Sequence, residues 1–196
     1  MRTAKIERKT KETDILVEVN LDGAGKFEIN TGIGFFDHML TQIAVHGSFD
    51  LVIRAQGDLH IDAHHTVEDC GLALGAAFKQ ALGDKSGIIR TASATVPMDE
   101  ALGQVVVDIS GRPYAVLNTA WTSPMVGGLH TTLLEHFFES FATASGANLH
   151  VIVHYGRDNH HMAESLFKAM ARAVARAVQI DPRRNGSIPS SKGLLS

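Results

Sequence analysis

The chain has 196 residues, 44% apolar and 20% charged, with eighteen Lys and Arg against twenty-one Asp and Glu for a formal charge of -3. That is enough for one globular domain or two fused half-domains sharing a core, and it excludes disordered, collagen-like and fibrous classes. It also offers no general attraction to nucleic acid or an anionic membrane, so any anion site must be local.

One cysteine, Cys70, allows no intrachain disulfide and reads as a small core residue, which points to a reducing compartment with the cytosol as default. The N-terminus Met1 to Glu12 is charged throughout, and no stretch approaches the roughly 20 apolar residues of a membrane span, so a soluble, unprocessed protein is expected. The anomaly is histidine, eleven in number and gathered in a few places.

In chain order, the sequence repeats itself. Val17–Thr31 aligns without a gap on Val105–Thr119 with five identities; each reads as an alternating strand, a Gly-containing turn and a second strand, so each is a β-hairpin candidate. Ahead of them Glu12 falls opposite Glu100. After them come helix-like runs, Phe35–Leu40 and Leu133–Phe138, which place His38 opposite His136, each behind an acidic neighbour.

Short strands follow at Phe49–Arg54 and Leu149–His154. Then His64-His65-x-x-Glu68 answers His160-His161-x-x-Glu164, each opening an Ala- and Leu-rich helix that runs to about Leu82 and Val178. The predicted fold is α/β, a single domain of duplicated halves, about 1–88 and 89–182, packed through their helices with the sheets outside. The tail 183–196, with Pro, Gly and Ser at turn spacing, is predicted to be a loop.

On a helix advancing about 100° per residue, His64, His65 and Glu68 fall at about 0°, 100° and 40°, and His160, His161 and Glu164 repeat the pattern. Imidazole and carboxylate form the donor set of Zn, Fe, Mn and Co. Because adjacent histidines diverge, two ions with each pair divided between them is the economical arrangement. Adding His38 and His136 gives three His and one Glu per ion; pseudo-symmetry suggests His38, His65, Glu68 and His160 for one, and His136, His161, Glu164 and His64 for the other. The remaining histidines (His46, His60, His130, His150, His154) have no matched partner and read as surface or hydrogen-bonding residues.

Basic side chains near Gly and Ser could take a phosphomonoester: Arg90 after Ser86-Gly87, Arg112 in Gly111-Arg112-Pro113, and Lys192 in Ser190-Ser191-Lys192-Gly193. Taken singly, each reads more readily as a solvated charge than as a phosphate ligand. Lys168, one turn beyond Glu164, faces the same cavity or is an ordinary helix lysine. Nucleotide-binding glycine motifs and a Gly-x-Ser-x-Gly elbow are absent.

The motifs Phe36–Leu40, His60–Asp69, Asp108–Tyr114, Glu135–Phe138, His160–Glu164 and Ile188–Gly193 together resemble the imidazoleglycerol-phosphate dehydratases of histidine biosynthesis, from Arg8 to Ser191. The resemblance implies the monofunctional dehydratase, without the fused phosphatase domain of some relatives. It also implies two Mn2+ per subunit, helices between two four-stranded mixed sheets, and a 24-mer built from trimers with active sites between subunits. Arg90, Arg112, Ser190 and Lys192 would hold the substrate phosphate, with Glu12, Gln42 and Lys168 close to the substrate.

Glu12 is the candidate for proton transfer, assisted by Glu68 or Glu164, in a reaction passing through an imidazolate and a diazafulvene. Two rival readings use the same residues. A dinuclear hydrolase would keep its ions about 3.5–4 Å apart, and a metal-storage protein would need no phosphate cluster.

Overall fold

Alternation decides the sheets of this computed structural model, which describes residues 1–195. In Thr13–Asn20, one face carries Thr13, Ile15, Val17 and Val19, all buried, and the other carries exposed Asp14 and Glu18. The first half runs β1 (Thr3–Lys9), β2 (Thr13–Asn20), β3 (Phe27–Asn30), α1 (Gly34–Gly47), β4 (Asp50–Gly57) and α2 (His64–Leu82).

The second half repeats that order. It comprises β5 (Thr91–Met98), β6 (Ala101–Asp108), β7 (Tyr114–Asn118), a two-stranded insertion β8 (Met125–Val126) and β9 (Leu129–His130), α3 (Thr131–Ser145), β10 (Asn148–Tyr155) and α4 (Asn159–Val178). The loop predicted over 183–196 shares a short 3-10 turn at Pro182–Arg184 and is otherwise irregular; its last residue, Ser196, lies outside the described residues.

The two Gly-turn segments are not hairpins. Sheet order is β1-β2-β4-β3 and β5-β6-β10-β7, so β4 separates β2 from β3 and β10 separates β6 from β7. β4 runs antiparallel to β2 (Val17 opposite Ile53) and parallel to β3 (Ile29 opposite Ile53). The parallel pair requires a crossover, which α1 supplies. β3 has four residues and an exposed Phe27, too little apolar surface for a central place, and so forms an edge. The Asp50 carboxylate ties the connection across the sheet end, accepting from the amides of Ala24 (2.9 Å) and Lys26 (3.0 Å).

The hairpins that do form, β1–β2 and β5–β6, pair each first predicted strand with one the residue pattern missed, β1 or β5; in β1, charges at every second position mask the strand. Glu12 and Glu100 stand in their turns.

Four helices fill the space between the two four-stranded mixed sheets. Helices from different halves pack together, α1 on α4 and α2 on α3, around stacked and edge-on phenylalanines: Phe137 meets Phe36, Phe138 and Phe167 at 5.4, 5.7 and 5.3 Å between ring centroids. The α2/α3 approach depends on Gly71 and Gly75, four residues apart on one face. A Cβ on Gly75 would come within 2.6 Å of the Phe141 carbonyl oxygen and 2.9 Å of the Ala144 Cβ. Cys70 is buried in the same helix, and burial pushes its thiol pKa up. Among the described residues no helix is long and apolar enough to cross a membrane.

Candidate metal centre

The packing of unlike halves decides which side chains meet. Within each interhalf pair the helices run side by side in the same sense, so their first turns coincide: α1 brings His38 to His160 and Glu164 of α4, and α3 brings His136 to His64 and Glu68 of α2. In each triad the donor atoms lie within 4.8 Å of one another. Glu164 Oε2 is 3.2 Å from Nε2 of both His38 and His160. Glu68 Oε2 is 3.1 Å from His136 Nε2 and 3.6 Å from His64 Nε2.

Within one chain the carboxylates thus group differently from the partition expected from pseudo-symmetry. Glu164, not Glu68, joins His38, because each triad takes one histidine from one half and a His-x-x-x-Glu pair from the other. The i, i+4 partner of each carboxylate is the first histidine of its pair. The second histidine, about 100° away, points elsewhere.

His65 and His161 accordingly stand outside both triads. His65 Nδ1 is 3.0 Å from Oδ2 of Asp58, and its Nε2 is 3.9 Å from Glu12. His161 Nδ1 is 2.7 Å from Oε2 of Glu100, and its Nε2 is 3.9 Å from Asp99. The hydrogen bonds to Asp58 and Glu100 raise the pKa of each imidazole above the ordinary 6.5. His161 in turn, with the amides of Asp158 and Arg157, holds the Glu100 carboxyl down at about 2. Sequence reasoning assigned no role to Asp58 or Glu100, although the alignment of Glu100 with Glu12 was a signal.

The acidic neighbours of the helical histidines anchor helix starts. Asp37 accepts from the Thr31 amide (2.8 Å) and hydroxyl (2.5 Å). Glu135 does the same work through the Thr119 hydroxyl and Trp121 Nε1 (2.8 Å). Thr31 and Thr119 are the matched last residues of the fifteen-residue repeat, so the conserved pair within this chain has a structural cause. Asp158 caps α4, accepting from the amides of His160 (2.7 Å) and His161 (3.3 Å).

Two neighbours bear on the first triad. Gln42 Nε2 lies 3.4 Å from His38 Nδ1, and Lys168 Nζ lies 2.6 Å from Glu164 Oε1. Burial works against the Glu164 charge, but Lys168 and His38 outweigh it and keep that carboxyl below the usual range. A metal fits these donor sets. His136 Nε2 is buried without a hydrogen-bond partner, 3.1 Å from a carboxylate at an unsuitable angle, as a ligand atom waiting on a cation would be. Each carboxylate belongs to one triad, so among the described residues none bridges the two in the manner of a dinuclear hydrolase.

A cavity of about 590 Å³ opens beside His64, bounded by Ile33, Leu59, Asp62, His130 and Leu133. Another concavity, of about 650 Å³, lies against the first sheet among Lys5, Glu18, Asn20 and Glu28, and no histidine lines it.

The basic group lies elsewhere. Arg90, at a positive φ of 82°, grips Asp108 (2.7 and 3.0 Å) and donates to the Pro189 carbonyl (2.8 Å), so it meets the segment carrying Ser190 and Lys192. The Arg90 carbonyl accepts from Ile109, three residues before exposed Arg112, which puts Arg112 at the same sheet end. Met98, at the opposite end of β5, touches Lys168 at 3.5 Å. At about 3.3 Å per residue, β5 separates Arg90 from the Glu164 centre of its own chain by roughly 25 Å. The structure thus unites Arg90 with the C-terminal segment and unites Lys168 with a triad, but it does not unite the two groups.

Fold and donor sets together define a duplicated α/β protein whose halves jointly build two candidate His/Glu metal centres. The family model for imidazoleglycerol-phosphate dehydratase matches residues 31–174. The imidazoleglycerol-phosphate dehydratase of Zymomonas mobilis is 57% identical over 194 residues, 99% of each chain, and that of Streptomyces griseus is 56% identical over 195 residues, 99% of this chain and 98% of the other.

Solved structures agree. The Staphylococcus aureus enzyme superposes with a TM-score of 0.83 at 35% identity, covering 91% of this chain and 99% of that one. The Pyrococcus furiosus enzyme, in complex with (S)-C348, gives 0.85 at 36%, covering 97% and 100%. The chain belongs to the imidazoleglycerol-phosphate dehydratase family, and is a hydro-lyase of histidine biosynthesis.

Proposed function

We propose that the chain converts D-erythro-imidazoleglycerol phosphate to imidazole acetol phosphate with two divalent cations, Mn2+ as the expected ion, one at each His/Glu triad, in sites completed between copies of the chain in the cytoplasm. The observation that carries the shared site is the separation of roughly 25 Å between the Arg90 group and the Glu164 centre. A single small substrate cannot span it, so the phosphate-holding residues Arg90, Arg112, Ser190 and Lys192 serve a centre on a neighbouring copy. His65 and His161, outside their own triads, are then free to complete a neighbour's donor set. Such an arrangement suits a 24-mer built from trimers. The halves 1–88 and 89–182 are its duplicated units, and 183–196 is its phosphate loop.

The C–H bond to be broken has no carbonyl beside it, so the imidazole ring must supply the electrons that expel the neighbouring hydroxyl. A ring has two nitrogens, and the chain has two centres. Cations held there would act as Lewis acids that favour the deprotonated ring.

Expulsion of the hydroxyl from the ring anion gives a diazafulvene, and proton loss from the next carbon gives an enol that ketonises. Glu12 would move the proton in this reading, supported by its exposure at the β1–β2 turn with its carboxylate 3.9 Å from His65 Nε2. General acid-base help of this kind contributes about 10²- to 10⁴-fold. Gln42 and Lys168 fix the first triad, and Glu164 and Glu68 supply the carboxylate donors of the first triad and of its counterpart, respectively.

The test strips the protein with chelator and restores Mn2+, Zn2+ or Mg2+ separately, following acetol-phosphate formation while counting bound metal. Turnover with Mn2+ at about two ions per chain supports the reading. Two bound ions with no turnover under any metal refute the metal-dependent dehydration.

A further inference from the structure

The duplicated halves treat their second histidines unequally. In the second half, the carboxylate beside His161 Nδ1 comes from Glu100 in the β5–β6 turn, at 2.7 Å. In the first half the corresponding turn residue is Glu12. It does not take His65 Nδ1, because Asp58, just after β4, already lies 3.0 and 3.2 Å away with both oxygens. In the second half β10 is followed by Gly156 and Arg157, the loop into α4 is shorter, and its one carboxylate, Asp158, is taken up by the amides of His160 and His161 at the start of α4. Glu100 fills that role and is held for it, its other oxygen accepting from the amides of Asp158 (2.9 Å) and Arg157 (3.2 Å).

We propose that Glu100 is the positioning residue of His161 and Asp58 that of His65, each accepting the Nδ1 proton so that Nε2 is left as the free donor, and that this division of labour is what leaves Glu12 free for proton transfer. An ionised carboxylate can only accept, so a neutral imidazole bonded to one through Nδ1 must carry its proton there. The lone pair is then on Nε2, whose nearest carboxylates, at 3.9 Å, lie beyond hydrogen-bond reach in both halves. Partners of this kind set the tautomer and ring orientation of metal-binding histidines, and losing one costs about 10- to 100-fold in metal affinity. In contrast, Glu12 has the same place in the repeat, but His65 Nδ1 is already taken by Asp58, so the Glu12 carboxylate is not committed to orienting a ring.

The metal consequence rests on the function proposed above, and the tautomer does not, so two measurements separate them. In metal-free protein labelled with 15N-histidine, at a pH where the rings are neutral, His161 should show the Nδ1–H tautomer. It should shift toward Nε2–H in Glu100→Ala and hold in Glu100→Gln, whose amide oxygen still accepts. His65 should behave likewise with Asp58→Ala and ignore both Glu100 variants.

Mn2+ titration followed by electron paramagnetic resonance should then show one ion weakened about 10- to 100-fold in Glu100→Ala and the other in Asp58→Ala, with neither weakened in Glu12→Gln. An Nε2–H tautomer for His161 in the unsubstituted protein, or unchanged Mn2+ affinity in Glu100→Ala, overturns the inference. A chain that shows the expected tautomers yet binds no Mn2+ overturns the proposed metal function while leaving the positioning role standing.

Discussion

Glu164 carries the sharpest consequence of the crossed halves. Its Oε2 sits 3.2 Å from Nε2 of both His38 and His160, and its Oε1 lies 2.6 Å from Lys168. Glu164→Gln keeps the volume but removes the charge, turning an anionic ligand into a neutral amide and leaving Lys168, 16% exposed, without its counter-charge. Breaking a fully buried pair costs about 3–5 kcal/mol and an exposed pair about 1 kcal/mol or less, so for this nearly buried pair roughly 1–3 kcal/mol of metal-free stability should be lost. Affinity at the α1/α4 centre should fall by more than the roughly 100-fold that an outer-shell partner can be worth.

The assay is equilibrium dialysis against Mn2+ at a concentration that fills both centres of the unsubstituted protein, with urea unfolding of the chelated protein beside it. Glu164→Gln and His38→Ala should each lose the same ion, so their combination still binds one per chain, whereas His38→Ala with Glu68→Gln should bind none. If that last variant keeps one ion, His38 and Glu68 share a centre and the partition read from the structure is wrong.

Arg112→Ala should raise KM for the phosphorylated substrate by at least tenfold with Mn2+ content unchanged, consistent with lost phosphate binding; unchanged KM removes Arg112 from the substrate site. Gly75→Ala should destabilise by about 1–3 kcal/mol, less up to about 1 kcal/mol of regained helix propensity, because its Cβ would press on the α3 backbone; urea unfolding of the metal-free protein reads it, and a stabilised variant would refute the close approach.

Acidification should act in opposite directions on metal-free and metal-loaded protein. His65 and His161 have folded pKa values raised above 6.5, so their pairing with Asp58 and Glu100 stabilises the metal-free chain fully below 6.5 and fades as pH rises through the raised values. Metal must displace those same protons, so Mn2+ affinity should fall as pH drops through that window. Parallel pH dependence of the two quantities would contradict this.

Local pattern determined much of this protein. The duplicated His-His-x-x-Glu motif, the matched helical histidines and the starts of α2 and α4 depend on residues three or four apart or on identities between the halves, and each can be read along the chain. That Glu12 and Glu100 correspond was equally legible from their spacing to the repeat.

What only the tertiary structure decided are relations between distant segments. Alternation marks a strand but not its neighbour, so the Gly-turn segments pass for hairpins until β4 and β10 are seen to lie between their strands. Helical spacing shows that adjacent histidines diverge but not what meets them. The grouping of His38 with Glu164 follows from α1 packing on α4 across the halves, and the pairing of His161 with Glu100 follows from the placement of a turn beside a helix start. The long reach from Arg90 to the metal end comes from the length and direction of β5 within its sheet. These are decided by which apolar faces bury one another, and no single segment carries that choice.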